Sequence, residues 1–237
     1  MNTLVVGSAG SGKTTNFLFG DVIQSCNNGC NVIAFCRTKE FPEQLGKFLT
    51  GSGYTLCFVD CFSDKTAESI EQIKKQKKYM IFVDVNTDNL NEIFNLIFDG
   101  SRFEVPTIAI FDEFCNMQKI QYLYPALSMP RALNVNFTLL VQSVTQLDKY
   151  YGDDHITFES ILANMEEAIF LDSIWFGDEK YLHIFFGKTG ASNLLMNEYK
   201  KRTGEKHIWL RGTRYNFSEV VIEPWKNGFI EWITAKE

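Results

Sequence analysis

A glycine-rich loop near the amino terminus constrains the fold and chemistry of this chain more than any other feature. It reads Gly-Ser-Ala-Gly-Ser-Gly-Lys-Thr-Thr from Gly7 to Thr15. The apolar residues 4–6 before it predict a short buried strand, and the residues after it can continue as a helix. A strand, this loop and a helix, in that order, form a Walker A motif, which binds the phosphates of a nucleoside triphosphate. The alternative, an accidental glycine-rich turn, does not account for the preceding strand or for the Lys-Thr pair in register.

The residue types in this loop suit a phosphate site. Glycines let the backbone curl until several N–H groups point at one phosphate chain, and the start of the helix adds a favourable dipole. The ammonium group of Lys13 is expected on the β- and γ-phosphates, and the hydroxyl of Thr14 on Mg²⁺. The predicted ligands are therefore ATP and Mg²⁺. The predicted nucleotide-binding residues are Gly7, Gly10, Ser11, Gly12, Lys13, Thr14 and Thr15.

The rest of the chain predicts an α/β fold with a β-rich tail. A chain of 237 residues, 45% hydrophobic and 22% charged, can bury one large core. Strand-like and helix-like stretches alternate, which predicts a mostly parallel sheet with helices on both faces. We expect strands at 4–6, 31–35, 54–59, 79–85, 107–111, 137–141 and 168–171, and helices at 43–49, 66–78, 89–98 and 157–165. Residues 1–176 are expected to form the nucleotide-binding domain. Residues 177–237 are expected to pack on it as an extension with strands at 207–210, 219–223 and 229–233.

A Walker A loop needs a carboxylate from the end of another buried strand to hold Mg²⁺. Three predicted strands end in aspartate, at Asp60, Asp84 and Asp112. Only Asp112 is followed by a glutamate, so this pair is the best candidate for a Walker B motif. We expect Asp112 near Mg²⁺ and Glu113 beside the water that attacks the γ-phosphate. For Asp60 and Asp84 the simpler interpretation is that they end their strands.

Two further polar residues are candidates for the nucleotide site. Gln142 ends the strand that follows Asp112 in the chain. In RecA-like ATPases that strand lies between the two Walker strands, so a terminal amide can sense the γ-phosphate or the water by donating and accepting hydrogen bonds. The alternative is that Ser143 or Thr145 caps a helix and Gln142 has no special role. Arg131 is either a surface residue or an arginine finger that reaches a neighbouring subunit's nucleotide.

The cysteine content, net charge and hydropathy of the chain limit its expected cellular compartment and binding partners. Six cysteines without a secretory signal are expected to be free thiols in a reducing compartment. A Cys-x-x-x-Cys spacing occurs at Cys26 and Cys30 and again at Cys57 and Cys61; a metal site is one interpretation, and buried thiols are the simpler one. The net charge of −6 argues against a broad DNA-binding surface. No apolar run approaches the roughly 20 residues that span a bilayer.

The middle of the chain resembles a known family. The resemblance rests on Asp-Glu-Phe-Cys-Asn from Asp112, on Arg131, on Leu-Val-Gln-Ser-Val-Thr-Gln-Leu from Leu140, and on Ile-Leu-Ala-Asn from Ile161. With the Walker loop, this block is similar to the coupling proteins of conjugation and type IV secretion, the TraG/TraD-like branch of the HerA–FtsK ATPases, over about residues 3–172. The resemblance implies a RecA-like motor, usually hexameric, that uses ATP to pump single-stranded DNA or pass substrates to a secretion channel. It implies site roles for Lys13, Thr14, Asp112, Glu113, Arg131 and Gln142.

The resemblance also implies partners and a location. The expected partners are further copies of the chain in a ring, single-stranded DNA or a relaxase–DNA complex, and type IV secretion components at the membrane. The expected location is cytoplasmic, at the inner face of the cell membrane, reached through partners or through a missing N-terminal segment.

The chain departs from the family pattern in two places. Cys-Arg-Thr-Lys-Glu at Cys36 to Glu40 stands where the family usually has Asp-Pro-Lys-Gly-Glu, and residues 60–106 leave no room for the family's all-helical insertion. The chain is then either a reduced natural paralogue or an excised motor core. These departures leave a second hypothesis open, in which the chain is a nucleotide-binding switch or assembly module with weak or no hydrolysis.

Overall fold

The computed structural model describes residues 1–38, 40–152, 154–171, 181, 207–213 and 217–222. The chain divides into two compact units. The first combines Met1–Gly20 with the part of the chain that begins at Leu140, and the second is Asp21–Leu139. The predicted domain boundary between residues 176 and 177 lies outside the described residues, so that division stays a prediction.

Strands and helices alternate as the sequence predicts. The strands are β1 (Thr3–Gly7), β2 (Asn31–Cys36), β3 (Thr55–Val59), β4 (Tyr79–Asp84), β5 (Thr107–Phe111), β6 (Val135–Val141), β7 (Glu167–Leu171), β8 (His207–Thr213) and β9 (Phe217–Ile222). The helices are α1 (Phe19–Asn27), α2 (Glu40–Gly51), α3 (Asp64–Lys74), α4 (Leu90–Ile97), α5 (Leu123–Leu127), α6 (Pro130–Leu133), α7 (Val144–Tyr151) and α8 (His155–Asn164). Lys13–Leu18 is a π-helical segment in front of α1, and Phe114–Asn116 is a 3₁₀ turn.

The second unit is built around a parallel sheet with the strand order β3-β4-β2-β5-β6. All six residues of β2 are buried, as expected for an inner parallel strand that is covered on both faces. Because the strands are parallel, their carboxyl ends share one edge of the sheet. Cys36 is in register with Asp84 there, and the backbone N–H of Asp112 donates to the carbonyl of Phe35 at 3.0 Å.

A cluster of phenylalanines supports the end of β5, directly before Asp112. The ring of Phe35 stacks on that of Phe111 with centroids 4.5 Å apart, and Phe94 of α4 lies 6.1 Å from Phe35. Phe114 meets Phe111 edge to face at 6.0 Å. The predicted helical spacing of α4 is confirmed by its buried residues, Leu90, Ile93, Phe94 and Ile97. Close packing of this kind restrains backbone as well as side chains, so the cluster fixes the position of Asp112.

The first unit carries β1 and the strands from the carboxyl-terminal part of the chain. All five residues of β1 are buried, and β1 pairs in parallel with β7, with Gly7 opposite Leu171. β8 pairs antiparallel with β7, and β9 pairs antiparallel with β8. These two strands contain the predicted strand at 207–210 and most of the one at 219–223, whereas the one at 229–233 lies outside the described residues.

Two of the differences between the structure and the predicted elements concern the helices α7 and α3. The helix α7 was not predicted. It begins after Ser143, whose hydroxyl accepts from the N–H of Gln146 at 3.0 Å, and it buries Val144, Leu147 and Tyr151. Helix α3 ends at Lys74 rather than at residue 78, because Lys78 already belongs to the sheet: its carbonyl accepts from the N–H of Thr55.

None of the helices within the described ranges combines the length and the apolar character that crossing a bilayer requires.

Candidate nucleotide site

The glycine-rich loop leaves β1 and enters the helical segment through two left-handed glycines. Gly10 has φ 81° and Gly12 has φ 82°, a region that residues with a side chain rarely adopt. The N–H of Ser11 donates to the carbonyl of Ser8 at 3.2 Å, and the N–H of Phe17 donates to the carbonyl of Gly12 at 3.1 Å. The loop is therefore a tight turn whose shape depends on glycine at these positions.

The side chain of Lys13 folds back into this turn. It is only 9% exposed, and its ammonium group donates to the carbonyl of Gly7 and, at 2.9 Å, to that of Ser8. A buried ammonium needs such acceptors because desolvation is costly. Phosphate oxygens would be stronger acceptors than carbonyls, because the hydrogen bond then joins two opposite charges.

Two features at the bottom of the loop fit a phosphate chain. A Cβ at Gly7 would collide with Oγ of Ser11 and lie 3.1 Å from Cβ of Leu171. This position therefore has no space for a side chain and requires glycine. Ser11 is 5% exposed, and its hydroxyl has no hydrogen-bond partner among the described residues. A buried unsatisfied hydroxyl costs about 1–3 kcal/mol. An acceptor bound in the loop would remove that cost.

The Walker B candidates lie in the second unit, where β5 ends. Asp112 is half-buried and Glu113 is exposed. Glu113 adopts a left-handed backbone with φ 55° and ψ 44°, which costs a non-glycine residue on the order of 1–3 kcal/mol. Its Oε2 accepts a hydrogen bond from Nδ2 of Asn116 at 3.2 Å, and its carbonyl accepts from the N–H of Asn116 at 2.8 Å. The strained turn therefore holds both the backbone and the carboxylate of Glu113.

Asn116 is a positioning residue that the sequence reasoning did not identify. It was part of the family signature without a role of its own. The signal available was its spacing, because a side chain three residues after Glu113 can reach back to it across one 3₁₀ turn.

The carboxyl end of β2 carries a neutral thiol. Burial, together with the nearby carboxylates of Asp112 and Asp84, raises the pKa of Cys36 well above the usual value for a thiol. This is the first residue of the stretch that departs from the family pattern. Where the family pattern usually has an aspartate, this chain therefore has an uncharged thiol.

Gln142 lies in the first unit, with the Walker A loop. Its side chain is exposed at the end of β6, and its backbone N–H donates to Oε1 of Gln146 at 3.2 Å. The helix cap weighed as the alternative is present, since Ser143 caps α7. Capping by Ser143 leaves the side chain of Gln142 available for another role, so its sensing role stays a prediction.

Arg131 is exposed on the short helix α6 of the second unit. Its carbonyl accepts from Nη1 of Arg102 at 2.7 Å. Pro130 begins α6, and Asn134 ends it in a left-handed conformation with φ 61°. The guanidinium of Arg131 thus projects from a backbone that is restrained on both sides.

The structure thus describes each half of the predicted site within its own unit. The loop residues and Gln142 belong to the first unit, and Asp112, Glu113 and Arg131 belong to the second. Within the described ranges, no cluster of three or more His, Cys, Asp or Glu side chains is arranged to hold a metal ion. The two Cys-x-x-x-Cys pairs therefore do not form a metal site there, and Cys61 is exposed rather than buried.

Comparison with solved structures defines the class of the fold. The genome packaging NTPase B204 from Sulfolobus turreted icosahedral virus 2, in complex with AMPPCP, matches with a TM-score of 0.59 and 11% identity, covering 94% of this chain and 97% of that one. VirB4 of Thermoanaerobacter pseudethanolicus matches with a TM-score of 0.60 and 10% identity, covering 98% and 91%. The bacterial conjugative coupling protein TrwBdeltaN70 matches with a TM-score of 0.52 and 11% identity, covering 93% and 76%. The fold is the α/β fold of the P-loop NTPases.

Sequence comparison adds the family. Residues 106–222, about half of the chain, match the family described as the TraM recognition site of TraD and TraG. No curated protein matches the chain. The family match and the solved structures together support a TraG/TraD-like coupling protein of the P-loop ATPase class, which confirms the predicted resemblance and the predicted fold class.

Proposed function

We propose that this chain is an Mg²⁺-dependent ATPase of the coupling protein family that uses hydrolysis to drive DNA or nucleoprotein transfer through a type IV secretion channel. The observation that carries the proposal is the loop from Gly7 to Thr15. It holds a buried lysine ammonium, an unsatisfied buried hydroxyl and a bare glycine backbone in one turn. These are the groups that a triphosphate needs.

In this proposal the chain's own residues divide the work. Lys13 exchanges the carbonyls of Gly7 and Ser8 for phosphate oxygens, and Ser11 donates its hydroxyl to the same phosphate chain. Thr14 and Asp112 would hold Mg²⁺, which would neutralise charge on the phosphates. Glu113 accepts a hydrogen bond from the attacking water and orients it. Gln142 senses the γ-phosphate from the end of β6.

The proposed partners follow from the family and its name. The family is described as a TraM recognition site, so a relaxosome protein of the TraM type is a proposed partner. The others are single-stranded DNA or a relaxase–DNA complex, type IV secretion components, and further copies of this chain in a ring. The proposed location is the cytoplasmic side of the membrane.

The proposal predicts that single-stranded DNA stimulates ATP turnover. The measurement is phosphate release by the full chain with Mg-ATP, with and without a single-stranded oligonucleotide. A duplex of the same sequence serves as the control. Stimulation by single strands supports the motor. Tight ATP binding with negligible turnover in every arm would contradict it and favour the nucleotide-binding switch.

A second prediction concerns Arg131 as an arginine finger that acts in trans. Arg131→Ala should lower turnover by about tenfold or more without changing ATP affinity, because the finger stabilises charge that develops during phosphoryl transfer. Mixing this variant with Lys13→Ala, which keeps its finger, should restore part of the activity. Full ATPase activity in Arg131→Ala would refute the role. So would a protein that hydrolyses ATP as a monomer.

A further inference from the structure

Strand β3 forms one end of the sheet in the second unit. Within the described ranges it pairs only with β4, in parallel, from Thr55 opposite Tyr79 to Val59 opposite Val83. Its sequence, Thr-Leu-Cys-Phe-Val, contains no charge and no proline. Edge strands in natural proteins usually carry such features, because an unprotected edge pairs with other chains. The composition of β3 therefore leaves this edge open to pairing with another chain.

The side chains on and beside β3 also suit an interface. Phe58 is 60% exposed although its ring stacks on Phe82 at 5.0 Å. Phe62, just beyond the strand, is 43% exposed. Leu56 lies on the same face as Phe58, because alternate residues of a strand share a face, and it is half-buried. Two exposed aromatic rings on and beside one edge strand suit an interaction surface.

Opposite charges lie beside the two ends of β3. At its carboxyl end a cleft of about 240 Å³ is lined by Glu43, Asp60 and Asp84, among others. At its amino end the ammonium group of Lys78 lies 5.6 Å from the centroid of the Tyr54 ring, after the basic run at 74–77. A strand flanked by carboxylates at one end and by an ammonium group at the other is complementary to a second copy of itself in the antiparallel direction.

We propose that two copies of this chain associate through β3, antiparallel, about a twofold axis at Cys57. In that register Cys57 faces Cys57 of the partner subunit, and Leu56 faces Phe58 of the partner subunit. Asp60 of the partner subunit then lies opposite Tyr54, whose ring carries the Lys78 ammonium. The same contacts occur twice, as a twofold interface requires. This association is separate from the proposed ATPase activity and does not depend on it.

Self-association is favoured over an unrelated basic peptide by the register. A basic peptide would account for the acidic end of β3 but not for Lys78 at the other end. A second copy satisfies both ends and also pairs Leu56 with an aromatic ring, a favourable cross-strand combination.

The first test is a disulfide between the two Cys57 residues. Directly opposite residues in antiparallel strands have Cα atoms about 4.5–5.5 Å apart, within the range that a disulfide spans. Burial raises the pKa of Cys57, so oxidation by copper phenanthroline is run at alkaline pH. We expect a dimer whose linked peptides both contain Cys57, in a background in which the exposed Cys61 is replaced by serine. The absence of this linkage would overturn the proposed register.

The second test exchanges the charges. Lys78→Glu and Asp60→Lys should each abolish the Cys57 cross-link in isolation, since like charges then meet at both ends. Mixing the two variants should restore it as a heterodimer, because each end again joins opposite charges. Circular dichroism of each variant checks that it folds. Cross-linking that persists in both single variants, or that fails to return in the mixture, would refute the proposal.

Discussion

Lys13→Ala should lower the affinity of the protein for ATP by about 100-fold or more, consistent with a cost of several kcal/mol for removing one member of a buried charged pair. The reason is geometric. The ammonium group lies inside the glycine loop, where it already holds the carbonyls of Gly7 and Ser8. No other lysine or arginine lies within residues 1–20 to replace it.

The measurement is calorimetric titration with a slowly hydrolysed ATP analogue and Mg²⁺. Lys149→Ala is the matched control, because Lys149 is an exposed lysine in the last turn of α7 in the same unit. That control should bind like the parent protein. Unchanged affinity in Lys13→Ala, with the variant folded, would show that the loop is not the nucleotide site.

Glu113→Gln should reduce ATP turnover by about 10³-fold while leaving ATP affinity nearly unchanged, within the usual 10²–10⁴ range for a general base. The amide keeps the size of the side chain and can still accept the hydrogen bond from Asn116, but it cannot take a proton from water. A loss confined to kcat is the signature of a group that acts in the transition state.

Two controls accompany this variant. Glu104→Gln changes another exposed glutamate of the same unit and should leave turnover at the parental rate. Asn116→Ala frees the Glu113 carboxylate without removing it, so kcat should fall by a smaller factor while KM for ATP stays near the parental value. If Glu113→Gln hydrolysed ATP at the parental rate, the role assigned to Glu113 would be wrong.

Much of the fold could be predicted because the parallel strands are nearly continuous apolar runs. β5 has the predicted bounds, and the helical spacing of α4 places the predicted residues in the core. These patterns reflect burial on both faces of a sheet or on one face of a helix. Buried positions are occupied by apolar residues, so the pattern can be recognised in the sequence.

Helix α7 was missed because its signal is weaker. Its eight residues include a polar run and two tyrosines, and its capping residue, Ser143, was considered only as an alternative to a role for Gln142. The cap and the buried positions at Val144, Leu147 and Tyr151 were present in the sequence.

The residues of the candidate site could be predicted from the sequence, but their geometry could not. The loop, Asp112 and Glu113 were identified from residue type and spacing. The unsatisfied hydroxyl of Ser11, the folded lysine and the left-handed backbone of Glu113 depend on three-dimensional packing. Sequence periodicity has no term for a single residue held in an unfavourable backbone conformation.

That backbone conformation has an evolutionary consequence. At position 113 selection for folding and selection for the proposed ATPase activity favour different amino acids. A library screened only for thermal resistance would enrich glycine or asparagine there, which tolerate the left-handed region, whereas one screened for ATP turnover, the proposed activity, would retain glutamate. A divergence between the two enrichment profiles, localised to this codon, would distinguish a working motor lineage from one that keeps only its architecture.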